Sequence, residues 1–167
     1  IIVDDGSRDG SWEVLRALAD RDSHVIVVRL RGHWGKATAY TAGFRTARGE
    51  TIATIDGDLQ DDPAELPNLL AELDRGQDMV VGWKRARRDA AVKVWSSRIF
   101  NALLARMSGV ALHDQNCGMR VMRHEVALAL PLRGDLYRMM PALAAMQGFR
   151  VAELPVRHRQ RQFGESK

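Results

Sequence analysis

Thr51-Ile52-Ala53-Thr54-Ile55-Asp56-Gly57-Asp58-Leu59-Gln60-Asp61-Asp62-Pro63 reads as a short β-strand that stops on an acidic turn and opens into a helix. The helix entry is well marked: Asp62 is placed to cap it, Pro63 suits its first turn, Glu65 favours its dipole, and Gly76 follows its end. Asp61 falls in the same capping turn, whereas Asp56 and Asp58 lie too early to cap. Upstream, β-branched runs alternate with segments of helical period: Ile1 to Val3, Trp12 to Ala19, Val25 to Val28, then Ala37 to Ala47. Downstream, Met79 to Gly82 is the next strand. Strands separated by helices of this length predict an α/β fold of three α/β/α layers around a mostly parallel sheet. Past Gly82 the pattern loosens into a basic loop, a helix around Val92 to Met107 and the polar turn His113-Asp114-Gln115-Asn116. Helical stretches near Glu125 to Leu130 and Arg138 to Gln147 and a last strand at Arg150 to Val156 follow.

The bulk properties limit what this fold can serve. A chain of 167 residues holds one domain with a real core, here residues 1–167 as a single unit. An apolar fraction of 46% with 28% charged residues excludes a disordered or fibrous chain. The single cysteine, Cys117, has no internal disulfide partner and reads as buried apolar filler, so a cytosolic setting is the simplest expectation. No apolar run approaches the roughly 20 residues that cross a bilayer. The net charge of +4 points to an anionic partner without naming it. Basic residues gather at Lys84, Arg85, Arg87, Arg88, Lys93 and Arg98, and again from Arg150 to Lys167. The chain opens on Ile1-Ile2-Val3 without an initiator methionine and stops just after Gly164, which reads as a piece of a longer protein.

In a parallel α/β sheet, ligands bind beyond the carboxyl ends of the strands. Three strand ends carry polar clusters: Asp4-Asp5-Gly6-Ser7, Asp56-Gly57-Asp58-Leu59-Gln60, and Gly82-Trp83-Lys84-Arg85. Asp56 and Asp58 flank one glycine, so a tight turn aims both carboxylates at a common centre while Gln60 adds an amide oxygen. Such oxygen ligands suit Mg²⁺ or Mn²⁺, whose octahedra are completed by water and by the phosphates of a diphosphate. Asp4 and Asp5 either accept hydrogen bonds from a nucleoside or shape a turn. Gly35-Lys36 opens a helix as a phosphate loop does, but without the Walker spacing. The basic loop from Lys84 to Lys93 is either a solvated surface or the seat of an anionic second substrate. His33, Trp34 and Trp83 either stack on a ligand or pack half-buried.

Taken in order, Val3-Asp4-Asp5-Gly6-Ser7, Gly35-Lys36, Asp56 through Pro63, Asn116-Cys117-Gly118-Met119-Arg120 and Arg161-Gln162-Phe163-Gly164-Glu165-Ser166-Lys167 resemble the polyprenyl-phosphate glycosyltransferases of family 2. That group includes the dolichol-phosphate mannosyltransferases and undecaprenyl-phosphate sugar transferases. The resemblance implies a GT-A fold, with Asp4, Asp5, Gly35, Lys36 and Asp56 on the donor nucleotide and Asp56, Asp58 and Gln60 on the metal. It places Lys84, Lys93, Ser97 and Arg161 near the acceptor phosphate, with Lys84 standing where arginine is more usual. Asp58, Asp114, Lys84 and Arg161 are its catalytic candidates, Asp114 in an auxiliary or sugar-orienting role. The reaction implied is inverting transfer from a UDP- or GDP-sugar to a polyprenyl phosphate, without nucleic acid, at the cytoplasmic face of a membrane. The resemblance also implies a further first strand ahead of Ile1, in the middle of the sheet, whose absence exposes a pairing edge. Two readings from other classes stay open: an aspartyl phosphotransferase built on Asp56 and Asp58, and a non-catalytic module for anionic polymers or membrane surfaces.

Overall fold

The computed structural model describes residues 1–84, 105, 106, 108–157 and 159. The expected alternation is present: β1 (Ile2–Asp4), α1 (Ser11–Arg21), β2 (Val27–Arg29), α2 (Lys36–Thr46) and β3 (Thr51–Thr54). A 3-10 turn (Pro63–Glu65) then leads into α3 (Leu66–Asp74) and β4 (Met79–Lys84). Asp62 caps that turn as its position demands, accepting the Ala64 N–H at 3.2 Å. Later in the chain come β5 (Arg120–Arg123), α4 (His124–Ala129), a second 3-10 turn (Gly134–Met139), α5 (Met140–Met146) and β6 (Val151–Val156). The helix expected from Arg138 to Gln147 is thus split, its first part tightened into the 3-10 turn, with Pro141 seated in the first turn of α5. Most of the helix expected from Val92 to Met107 lies outside the described residues.

The strands form two sheets. β1 and β2 are parallel, with Ile2 opposite Val27 and Asp4 opposite Arg29. The other four run in the order β3-β5-β4-β6. β4 and β6 are parallel over six residues, from Met79 opposite Val151 to Lys84 opposite Val156. β5 lies between β3 and β4 and is antiparallel to both. Three strands of this sheet therefore share one direction, as expected, and one unforeseen strand runs against them. β5 escapes a sequence reading because it is four residues long with arginine at each end. Its first three residues are buried, so no polar alternation betrays it.

Most of the core belongs to the four-stranded sheet. Leu69 and Leu73 of α3, Met79, Val80 and Val81 of β4, Val121 and Met122 of β5, Val126 of α4 and Met140 of α5 have no exposed surface. Fully burying such side chains is worth about 1.5–3 kcal/mol each before the entropy of ordering the chain is subtracted. The first fifty residues bury only Asp4, Ala37 and Phe44, and α1 buries none. Between β1 and β3 runs a groove of about 500 Å³, walled by Ile1 and Val3 on one side and Thr51 to Gly57 on the other. Tyr40, Gly43 and Phe44 of α2 also line it. Among the described residues, β1 pairs only with β2 and β3 only with β5, so each turns an unpaired edge to this groove.

Candidate active site

The loops after β1 and β2 meet backbone to backbone. A Cβ on Gly6 would lie 2.7 Å from the Gly32 carbonyl carbon, and Gly6 has φ +76°, so only glycine fits there. Asp5 fastens these loops to the start of α2. One of its oxygens accepts the Trp34 N–H at 2.8 Å, and the other accepts the Gly35 N–H at 2.9 Å and lies 2.9 Å from His33 Nδ1. Asp4 is 4% exposed, accepts the Ser7 N–H at 3.0 Å and faces Arg29 at 3.7 Å. Both carboxylates therefore shape loops. Those loops, with Arg29, Arg31 and His33, surround a cleft of about 1170 Å³ that Asp5 borders directly.

Lys36, at the first turn of α2, lines the groove between β1 and β3 together with Asp56 and Gly57 at the end of β3. Its Nζ donates to Asp56 Oδ1 at 2.8 Å and stands 5.8 Å from the ring centroids of both Tyr40 and Tyr137. Burial pulls the Lys36 ammonium down, but Tyr40, Asp56 and Tyr137 together push it further up, so the cation is reinforced. Asp56 is seated against backbone with no room to spare. A Cβ on Gly118 would lie 2.5 Å from Asp56 Cγ, and Thr54 Oγ1 donates to the Gly118 carbonyl at 2.7 Å, fixing that backbone to β3. Gly118 was legible as part of a motif; its role as the seat of Asp56 was not.

Asp58 is half-buried and accepts the Gln60 N–H at 3.2 Å. Between them Leu59 has φ +62°, the left-handed region that a leucine rarely occupies. The turn is held from outside by the segment following β6. The Arg159 N–H donates to the Gln60 carbonyl at 2.8 Å, and the Arg159 guanidinium donates to Asp62 at 2.8 Å. The Gln60 amide in turn reaches the Arg159 carbonyl at 3.4 Å. Arg161, expected to close over the site from this same tail, lies outside the described residues, as do Lys93 and Ser97. Arg159 carried no predicted role, and its place in a basic run gave no sign of one.

Asp61 corrects an expectation. It does not cap the helix; it is 4% exposed and pairs with Lys84 Nζ at 3.2 Å. Its other oxygen lies 3.5 Å from the Asp56 N–H. The chain turns inward between Asp58 and Asp62, which a capping pattern does not disclose. Lys84, whose side chain is only 10% exposed, lies at the end of β4 on this pair. Next to it, Trp83 stacks on His113 at 4.0 Å with the planes 17° apart, so its ring is engaged within the fold. Asp114, in the following loop, is 7% exposed and accepts the Asn116 N–H at 3.1 Å. Cys117 is the buried filler expected, its thiol pushed up by burial to about 11.

Among the described residues no cluster of three or more His, Cys, Asp or Glu side chains is arranged to hold a metal ion. Carboxylate and amide oxygens are the donor types that a hard divalent cation takes, with water and a diphosphate completing its shell; here Asp56 is paired with Lys36 and the Gln60 amide is turned to the Arg159 carbonyl.

Fold and strand-end chemistry together define a GT-A type domain, an α/β sheet with acidic turns at one end. Residues 1–130 match the family described as glycosyl transferase family 2, and the chain belongs to that family. An undecaprenyl-phosphate 4-deoxy-4-formamido-L-arabinose transferase of Shewanella sediminis is 38% identical over all of this chain and 51% of the relative. A dodecaprenyl-phosphate galacturonate synthase of Rhizobium johnstonii is 37% identical over all of this chain and 51% of its own length. The chain thus spans about half the length of the curated relatives it matches. The fold is shared with glucosyl-3-phosphoglycerate synthase of Mycobacterium tuberculosis. Its complex with Mn²⁺ and UDP-glucose aligns at 23% identity and TM-score 0.66, over 96% of this chain and 60% of that one.

Proposed function

We propose that this chain is the catalytic core of an inverting, divalent-metal-dependent glycosyltransferase that moves a sugar from a UDP- or GDP-sugar to a polyprenyl phosphate. The observation that carries the reading is the meeting of Asp56, Lys36 and Gly118 at the end of β3, with Asp58 two residues on and Asp5 bonded to the Gly35 N–H next to Lys36. An anionic diphosphate placed there meets the Lys36 ammonium and the amino end of α2, both of which favour negative charge. Asp56, Asp58 and Gln60 would hold Mg²⁺ or Mn²⁺, which supplies Lewis acidity toward the departing nucleoside diphosphate. Asp5 keeps the 33–35 loop against β1 and so sets the wall of the nucleotide cleft. Lys84, held on Asp61, lies on the side where the acceptor phosphate enters, with Lys93, Ser97 and Arg161 as its further partners. A phosphate oxygen is already anionic near neutral pH, so positioning and electrostatics carry the rate and no strong base is needed.

The polyprenyl-phosphate names of the relatives support the acceptor class. No described helix is long and apolar enough to cross a membrane. Attachment at the cytoplasmic face would rest on peripheral contacts or on further chain. Family membership weighs against an aspartyl nucleophile. The groove between β1 and β3 has the two facing edges that an additional strand of the full protein would fill.

Calorimetric titration of UDP-glucose, UDP-GlcNAc and GDP-mannose into the full-length protein with Mn²⁺, then with EDTA, tests the reading. One donor should bind, only with metal, and Asp58→Ala should abolish the heat. Binding of no donor by folded protein refutes it.

A further inference from the structure

One well-bonded buried acid belongs to none of the motifs. Glu153 sits in the middle of β6, opposite Val81 of β4, with a side chain 8% exposed. Its Oε2 accepts the His113 N–H at 3.0 Å and lies 2.8 Å from His113 Nδ1. Its Oε1 accepts the Asp114 N–H at 2.8 Å. Two successive backbone amides are thereby gripped by the two oxygens of one carboxylate, a geometry in which neither residue can rotate away without losing a charge-assisted bond. The imidazole held by the same carboxylate is stacked on Trp83, the residue before Lys84, so the loop is clamped from β4 as well as from β6.

We infer that Glu153 is a positioning residue, whose work is to fix the 113–116 loop and so to aim the Asp114 carboxylate at the site beside Lys84. The inference rests on the proposed auxiliary role of Asp114. Glutamine at 153 keeps the shape of the side chain but replaces one acceptor oxygen by an NH2 group, which faces an N–H donor and cannot accept from it. The loop is then held at one amide instead of two. Misplacement of a catalytic group by about 1 Å is enough to lower turnover on the order of 100-fold.

The test uses the full-length protein, undecaprenyl phosphate in detergent, and whichever of UDP-glucose, UDP-GlcNAc and GDP-mannose binds with Mn²⁺. Asp114→Asn and Glu153→Gln should each lower kcat by roughly 10- to 100-fold with the donor KM within about twofold. The double variant should be no slower than Asp114→Asn alone, because the clamp has nothing left to aim. Full activity of Glu153→Gln beside a crippled Asp114→Asn overturns the inference and leaves the role of Asp114 standing. Full activity of Asp114→Asn overturns both. Hydrogen exchange supplies a readout independent of turnover: Glu153→Gln should lose protection at the amides of His113 and Asp114 while β4 and β5 keep theirs. Unchanged protection at those two amides also overturns the inference.

Discussion

Replacing Gly118 by alanine tests whether the seat of Asp56 is as tight as the geometry implies. The added methyl would stand 2.5 Å from Asp56 Cγ and Oδ2 and 2.7 Å from Oδ1. Non-bonded carbons rest at about 3.5–4.0 Å, so something must give by about 1 Å. The Gly118 backbone is poorly placed to yield. Thr54 holds its carbonyl at 2.7 Å, and Met119 next to it accepts the Gly82 N–H at 2.9 Å. Asp56 is half-buried at the mouth of the turn and is the partner free to move. Moving it breaks the 2.8 Å bond to Lys36 and shifts one of the two carboxylates meant for the metal. Overpacking of this kind costs about 1–3 kcal/mol, most of it here in the site and not in the core. Calorimetry with the preferred donor and Mn²⁺ should show binding weakened by about 10- to 100-fold, with a thermal midpoint within a few degrees of wild type. Unchanged affinity in folded Gly118→Ala would refute the claim that this backbone positions Asp56.

Two further predictions concern stability. Asp61→Ala leaves the Lys84 ammonium, 10% exposed, without its carboxylate, and should cost about 3–5 kcal/mol in urea unfolding; a loss below about 1 kcal/mol would place the pair in an environment far wetter than its burial indicates. Asp78 accepts the backbone N–H and two guanidinium nitrogens of Arg150, at 2.8, 3.1 and 3.0 Å, and the hydrogen bond from the guanidinium is the main cause of its lowered pKa. A carboxylate depressed in the folded state contributes stability above its unfolded pKa of about 3.9 and loses it as the pH falls through the folded value. Urea midpoints should therefore separate wild type from Asp78→Asn at pH 6 and draw together as the pH falls from about 3.9 through the lower folded-state value; a gap independent of pH would contradict this.

The strand ends were readable because they obey local rules. Strand, acidic turn, cap and helix follow one another from Thr51 to Asp74, and hydrophobic period and capping chemistry settle each step without reference to anything distant. What escaped notice depends on partners far along the chain. β5 is a strand only because β3 and β4 flank it, and its arginines hide its burial. Asp61 looks like a cap residue until Lys84, 23 positions later, is found beside it. Glu153 is a lone acid in an apolar strand, and nothing local distinguishes it from a solvent-facing residue. Gly118 is a seat only because Asp56, 62 positions earlier in the chain, rests on it.

The groove between β1 and β3 divides the molecule mechanically as well as visually. On the far side of it, β1, α1 and β2 contribute to the buried set only Asp4, a polar residue, while Val14 and Leu18 of α1 stay 69% and 43% exposed. A three-residue parallel ladder with so little apolar burial opens at a lower free energy than the four-stranded sheet, and its amides should exchange first. A ligand lodged between the Asp5 loop and the Asp56 turn would touch both units at once. It would act as a staple between a soft part and a hard part, and each tenfold excess over its Kd would add about 1.4 kcal/mol to the opening of the soft one.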